Sequence, residues 1–179
     1  MSESGIHMRA KKFFQENIPL ENEVIVNERE YWIANHRADV YFELKNNCKV
    51  AIEYQSSNMS ISDMEERLKT YTKYNVHGLV VLNGLGSCVG EKKYPENKKR
   101  VSVSKLERFL HDIFGWRVYY FNITEEMIQY PVYYLRFAHC LNYGYKYAHF
   151  KRDAIFRGYS ELRFEFFTNQ EYKLAKFSD

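Results

Sequence analysis

The sequence predicts an α/β fold in which a mixed central sheet is flanked by helices, with an α-rich C-terminal extension. Three observations predict it. Short segments rich in β-branched and aromatic residues follow one another closely in the first third of the 179-residue chain. A strand, an amphipathic helix and a continuous apolar run then succeed one another between Lys49 and Asn83, which is the order of a βαβ unit. Hydrophobic residues make up 45% of the chain, enough to bury the core of one domain.

The first predicted elements are a short helix and two strands. The segment 7–17 has the apolar spacing of a helix, and Pro19 ends it. Segments 23–28 and 31–42 are β-rich and close together, which indicates a hairpin or a meander. The turn residues 45–47 then lead into the next strand.

The third predicted strand, 49–55, carries polar residues that a simple half-buried strand does not need. Successive side chains of a strand alternate between its two faces. Glu53 and Gln55 therefore share one face, and Asp39 lies inside the apolar run of the preceding strand. The opposite face of the third strand is formed by Val50, Ile52 and Tyr54.

The later segments predict the rest of the sheet and its covering helices. Ser60 and Ser62 both offer caps for a helix whose apolar residues recur at helical spacing as far as Tyr71. The apolar run 78–83 is typical of a buried parallel strand. Further on, the patterns predict a helix over 103–114, a strand over 116–121 and a strand over 161–167, with helix as an equal alternative for the tail.

Asp39, Glu53 and Gln55 bring three polar groups to one edge of the predicted sheet. Two carboxylates that lie close together repel each other unless a cation lies between them. Oxygen-rich sites of this kind suit Mg²⁺ or Mn²⁺, which accept water and phosphate as their remaining ligands. Such an ion polarises a phosphoryl oxygen and lowers the pKa of an attacking water. A solvated sheet face is the alternative, because isolated sets of this kind are common.

Four stretches, in this order along the chain, carry a resemblance to a known family. They are the "SES…H…K" pattern of residues 2–12, "RADVYF" (37–42), "AIEYQSSNMS" (51–60) and "ERLKTY" (66–71). Over roughly its first half the chain resembles the CoiA-like group of the PD-(D/E)XK nuclease superfamily. The resemblance implies a restriction-endonuclease-like core of αβββαβ order, which is also the order of the elements predicted above.

The resemblance implies catalytic roles for Asp39, Glu53, Gln55 and His7. Asp39 and Glu53 would hold the catalytic Mg²⁺ or Mn²⁺, and Glu3 would contribute to the same metal site. Gln55 stands where the wider superfamily usually has Lys. Its amide can orient water or phosphate but supplies no positive charge.

The expected function is therefore that of a metal-dependent nuclease, a hydrolase that cleaves the phosphodiester bonds of DNA. One alternative is a catalytically inactive protein of the same fold that binds nucleic acid or acts as a regulatory module. Another is a nuclease that acts on RNA, which the motifs do not separate from one that acts on DNA.

The distribution of charge is consistent with a nucleic acid partner, although ordinary variation of surface charge explains it equally well. Residues 1–66 hold 12 acids and 7 lysines or arginines, a net charge of −5, whereas residues 67–179 hold 11 and 19, a net charge of +8. A basic surface beside an acidic cation site suits a polyanion. The candidates for contact with a phosphate backbone are Arg37, Lys92, Lys93, Lys98, Lys99 and Arg100.

Other features of the sequence restrict its location and its domain organisation. No apolar run approaches the roughly 18 residues of a membrane span, and three isolated cysteines with no apolar signal core indicate a cytoplasmic protein. We expect a nuclease-like core over 1–121 and, packed on it, an aromatic-rich extension over 122–179. Its segment 130–159 mixes seven tyrosines with five lysines or arginines. That mixture is typical of a core or of a homodimer surface, with stacking on nucleobases as the alternative.

Overall fold

The computed structural model of the chain describes residues 5–17, 24–84, 86–88, 100–101, 103–115, 117–121, 133–136, 150–151, 164–168 and 171–177. The helices are α1 (Gly5–Asn17), α2 (Ile61–Lys73) and α3 (Lys105–Ile113). The strands are β1 (Val24–Ile33), β2 (His36–Leu44), β3 (Lys49–Gln55), β4 (Val76–Leu82), β5 (Arg100–Val101), β6 (Arg117–Tyr120), β7 (Tyr133–Arg136), β8 (Phe150–Lys151), β9 (Phe164–Thr168) and β10 (Lys173–Phe177).

Eight of these strands form one mixed sheet, as the sequence predicts. The order β1–β2–β3–β4–β10–β9 runs across it, and β6, with β7 beside it, also pairs with β4. The first three strands are antiparallel to one another, whereas β3, β4 and β6 are parallel. The chain order α1–β1–β2–β3–α2–β4 is therefore the predicted αβββαβ core. The strands β5 and β8 pair separately.

The hairpin of β1 and β2 differs from the prediction in its boundary. The strand β1 does not end near residue 28 but continues to Ile33, and the turn lies at Ala34 and Asn35. Ala34 has a φ of 54°, which is the left-handed conformation that two-residue hairpin turns require. Glu30 also has a positive φ, 59°, yet pairing continues on both sides of it. The long strand brings Trp32 directly opposite Arg37.

The strand β3 has the predicted bounds but is covered on both faces rather than half-exposed. Every residue from Val50 to Tyr54 is buried, including Glu53, of which 5% is exposed. Phe14 of α1 contacts the Tyr54 ring, and Tyr71 of α2 contacts Glu53. The two helices therefore cover opposite faces of this strand, because adjacent strand residues point to opposite sides.

The helix α2 begins at the predicted cap and packs closely on β4. The Ser60 hydroxyl accepts a hydrogen bond from the backbone N–H of Asp63, so Ser60 rather than Ser62 is the N-cap. A Cβ at Gly78 of β4 would come within 2.5 Å of Leu68 on α2. Glycine at this position lets the helix approach the sheet, and the side chains of α2 reach β3.

The C-terminal part differs from the α-rich extension wherever the structure describes it, because every described element after residue 121 is a strand. The strand β10 pairs with β4 in parallel at Leu174 and Gly78, and with β9 in the antiparallel sense. Leu174 and Ala175 are fully buried. Burial against β4 decides the strand state here, since packing overrides local helix propensity. Most of the tyrosine-rich segment 130–159 lies outside the described residues. None of the described helices has the length and apolar character that a membrane crossing requires.

Candidate active site

Asp39 lies where the pairing of β2 with β3 ends. The last paired residues are Val40 and Ile52. Beyond them the Asp39 carboxylate accepts a 2.8 Å hydrogen bond from the backbone N–H of Tyr54 and a 3.0 Å hydrogen bond from Nε2 of His7. The side chain is 14% exposed. The two hydrogen bonds fix the carboxylate at the opening of the sheet, with α1 supplying one of its partners.

Glu53 is the most deeply placed acid of the site. Its Oε2 accepts a 2.7 Å hydrogen bond from Arg67, and its Oε1 accepts a hydrogen bond from the hydroxyl of Tyr71. Burial and the charge of Asp39 raise the pKa of Glu53 to about 7, whereas the Arg67 guanidinium and the Tyr71 hydroxyl oppose that rise. Glu53 therefore changes its ionisation near neutral pH.

Arg67 and Tyr71 lie four residues apart on one face of α2, so that both reach the same carboxylate. Burial by itself would lower the pKa of Arg67, but the Glu53 carboxylate outweighs burial and the pKa of Arg67 is raised. Burial and the charge of Glu53 raise the pKa of Tyr71. Arg67 is therefore a cation and Tyr71 a neutral hydroxyl where they contact Glu53. Arg67 also donates to the backbone carbonyl of Arg37 at 3.0 Å, which joins α2 to the hairpin.

Lys11 is a residue of this site that the sequence did not single out. It lies on α1 one turn after His7, and only 4% of it is exposed. Its Nζ donates to Glu30 and lies 3.6 Å from Oδ1 of Asp39. Glu30 also accepts from Nε of Arg37 at 2.6 Å. A buried ammonium group thus lies beside the Asp39 carboxylate, between α1 and the hairpin.

The predicted residues Asp39, Glu53, Gln55, His7 and Arg37 all line one cleft of about 550 Å³. The amide nitrogen of Gln55 donates to the carbonyl of Ser57 at 2.6 Å. The other residues of the cleft are Trp32, Asn35, His36, Met59 and Arg67. Successive elements of the chain, α1, the β1–β2 hairpin, β3 and α2, therefore meet around the residues that the resemblance implies.

The donor set of the cleft fits a hard divalent cation. Asp39 and Glu53 supply carboxylate oxygens, and the charge of Asp39 contributes to the raised pKa of Glu53, as expected of like charges that a cation would relieve. Mg²⁺ usually takes one or two protein carboxylates and completes its shell with water and phosphate. Within the described residues no three His, Cys, Asp or Glu side chains converge on one point. Water and substrate would therefore supply the remaining ligands.

Some predicted site residues fall outside what the structure describes. Glu3, Lys92, Lys93, Lys98 and Lys99 lie outside the described residues, and of Arg100 the structure describes only the backbone, in β5. Their predicted roles stay predictions. A sequence signal for Lys11 was present but ambiguous, since the "H…K" of the resemblance is met by either Lys11 or Lys12. Arg67 also carried a signal, since it lies in the stretch "ERLKTY" (66–71) of the resemblance, whereas Glu30 lies in none of the quoted stretches.

The family model described as competence protein CoiA, nuclease-like domain, matches residues 3–137. That match covers more than half of the chain and contains every residue of the cleft. No curated protein matches the sequence.

Three solved structures are similar to the chain at low identity. A repair endonuclease from Pyrococcus abyssi has 19% identity and a TM-score of 0.38, and the match covers 69% of this chain and 48% of that one. EndoMS in a complex with double-stranded DNA has 18% identity and a TM-score of 0.32, with 47% and 39% covered. SfsA of Pyrococcus furiosus, in complex with Ca²⁺, has 11% identity and a TM-score of 0.37, with 71% and 60% covered. The matched part of the chain thus spans about half the length of the first of these proteins.

Proposed function

The chain belongs to the family of competence protein CoiA nuclease-like domains, and we propose that it is a nuclease that uses Mg²⁺ or Mn²⁺ to hydrolyse the phosphodiester bonds of DNA. One observation carries the proposal. Asp39 and Glu53 line the same cleft, close enough that the charge of Asp39 contributes to the raised pKa of Glu53. Two such carboxylates with no cation between them are electrostatically unfavourable.

Asp39 and Glu53 would hold the ion. When bound, the ion supplies Lewis-acid polarisation of the phosphoryl group and acidifies water. The residues of the chain orient the two carboxylates that would hold the ion. Tyr54 and His7 fix the orientation of the Asp39 carboxylate through their hydrogen bonds. Arg67 holds Glu53 in place and favours its ionised form.

Lys11 supplies a positive charge at the edge of the cleft. Its ammonium group lies 3.6 Å from Asp39, and it stabilises negative charge there by Coulomb attraction in a partly buried setting. Gln55 orients a water or a phosphate oxygen through its amide but supplies no charge. Gln55 on β3 therefore positions the reacting groups, and Lys11 on α1 stabilises negative charge.

Arg37 would contact the phosphate backbone at the mouth of the cleft. Its side chain is 56% exposed and pairs with Glu30. On binding, a phosphate would replace Glu30 as the anionic partner of Arg37. We propose the same kind of contact for Lys92, Lys93, Lys98, Lys99 and Arg100 from the sequence alone. Lysine and arginine contacts to phosphates release condensed counterions, so binding would weaken steeply with salt.

A second candidate function has one observation in its favour. Both oxygens of Glu53 already accept hydrogen bonds, from Arg67 and from Tyr71. A carboxylate compensated in this way is stable without an ion. The protein would then keep the fold, bind nucleic acid and leave the strand intact.

The experiment that separates the two functions measures binding and cleavage independently. Binding of single- and double-stranded DNA and RNA is measured in EDTA over a series of salt concentrations, and Mn²⁺ or Mg²⁺ is then added to follow cleavage. A nuclease cleaves at least one substrate after the ion is added, and Asp39→Asn abolishes that cleavage. Binding without cleavage would establish the second function, and an absence of both would reject both.

A further inference from the structure

Trp32 is the most exposed large hydrophobic side chain among the described residues, at 63%. Tryptophan is highly buried on average, because its ring gains more than most side chains from leaving water. Its indole makes no ring contact and no hydrogen bond within the described part of the chain. The face of the ring is therefore available for contact with a ligand.

The position of Trp32 points to the partner. It lines the same cleft as Asp39 and Glu53. It lies directly opposite Arg37 in the hairpin, and directly opposed residues point to the same face of a sheet. Asp39 follows Arg37 by two residues on β2, roughly 7 Å along the strand. That separation corresponds to about two stacked bases of a nucleic acid strand, at roughly 3.4 Å each.

The surroundings of the indole are polar and charged rather than apolar. Arg37 is half-exposed beside it, and His36 lines the same cleft. An exposed aromatic ring with a neighbouring cation is the arrangement in which a base stacks while its phosphate meets a positive charge. A protein partner that buried an apolar patch here would also have to remove the half-exposed Arg37 guanidinium from water, which is costly.

We propose that Trp32 stacks on an unpaired nucleobase of the strand whose phosphate lies at Asp39 and Glu53. The proposal rests on the proposed function and specifies it further. The cleft takes a nucleotide that is not in a duplex, one or two positions from the phosphate. The substrate is therefore single-stranded nucleic acid, or the unpaired end or flap of a duplex.

The test measures equilibrium binding in EDTA, so that it does not depend on cleavage. Single-stranded oligonucleotides of DNA and of RNA, and a blunt DNA duplex, are titrated against the parent, Trp32→Ala, Trp32→Phe and Ile25→Ala. Trp32→Ala weakens binding of the single strand by about 5- to 150-fold, which corresponds to the loss of one stacked base. Trp32→Phe keeps most of the affinity, because phenylalanine also stacks. Ile25→Ala, at a residue of the same strand that is 57% exposed and lies outside the cleft, leaves binding unchanged.

An abasic site moved along the single-stranded oligonucleotide makes the test specific. At one position the abasic site weakens binding to the parent but not to Trp32→Ala. The variant already lacks the indole on which the missing base would stack. Equal affinity of the parent and Trp32→Ala for single strands overturns the proposal, even if metal-dependent cleavage is observed. So does an equal loss on the blunt duplex, a change of oligomeric state in Trp32→Ala, or an absence of binding to every strand. If the parent cleaves and Trp32→Ala has no effect on binding, the nuclease function is supported and the stacking role of Trp32 is rejected.

Discussion

Arg67 of α2 donates a 2.7 Å hydrogen bond to the carboxylate of Glu53 on β3. The pair joins a helix to the centre of the sheet at the point where the candidate metal ligands lie. Glu53 is almost fully buried, and a buried carboxylate without a partner is costly. Arg67 therefore compensates Glu53 in the protein without an ion, and this relationship determines several measurable properties.

Glu53→Gln should abolish metal-dependent cleavage while keeping the fold. The amide has the shape of the carboxylate but carries no charge to hold a cation. Even groups that only support a metal ligand cost about 10- to 100-fold when they are removed, so we expect a loss of more than about 100-fold. Cleavage in Mn²⁺ and thermal unfolding by circular dichroism are the measurements. Glu65→Gln is the control, because Glu65 is an acid of the same helix that pairs with Lys69 outside the cleft. An active Glu53→Gln protein would remove Glu53 from the metal site.

The stability of the parent should fall as pH rises from about 4.5 to about 7. The pKa of Glu53 is about 7 in the folded chain, above its ordinary value of 4.5. The folded state therefore holds a proton that the unfolded state has already lost within this window, and the free energy of unfolding decreases as pH rises, then levels off. The full difference is on the order of 3 kcal/mol. Urea unfolding at pH 5, 6, 7 and 8 measures it.

Glu53→Gln provides the reference for that experiment, because it has no proton to lose at this position. The difference in free energy of unfolding between the parent and this variant should change across the window and stay flat above about pH 8. A difference that is the same at all four pH values would show that the pKa of Glu53 is not raised. Mn²⁺ at pH 8 should stabilise the parent but not the variant.

Lys11→Met should reduce cleavage much more than Lys12→Met. Lys11 is buried beside Asp39 and Glu30, whereas the side chain of Lys12 is 64% exposed and pairs only with Glu16 in the described contacts. Removing Lys11 takes away the cation that Asp39 and Glu30 share, at a cost of roughly 1–3 kcal/mol. The cost is below that of a fully buried pair because Glu30 is a third exposed and keeps its contact with Arg37. Rates under saturating Mn²⁺ and urea unfolding of both variants are compared. Equal rates in the two variants would assign Lys11 a structural role only.

Gln55→Lys should retain measurable cleavage, whereas Gln55→Ala should be slower than either. Lysine can replace the amide as a polar group near the phosphate and adds a charge. Alanine removes the contact and also the hydrogen bond to Ser57. Single-turnover rates with the same oligonucleotide compare the three proteins. If all three cleave at one rate, Gln55 takes no part in the reaction.

The sequence by itself determined the local structure and the identity of the acids. Alternation over 49–55 predicted β3 with its observed bounds, and the run 78–83 predicted β4 to within two residues. The positions of Asp39, Glu53 and Gln55 on neighbouring strands also followed from the two-residue period of a strand. These features depend on contacts between residues that are close in the chain, and such contacts are readable from spacing.

Only the tertiary structure decided which groups surround those acids. Lys11 and Asp39 are 28 positions apart, yet the packing of α1 on the sheet places an ammonium group beside the carboxylate. The positive φ of Ala34 sets the turn of the hairpin and thereby brings Trp32 opposite Arg37. The close approach of α2 at Gly78 buries Glu53 beneath Arg67 and Tyr71 and so raises the pKa of Glu53. Burial and through-space charge arise only when the helices pack on the sheet, and no periodicity in the chain records them.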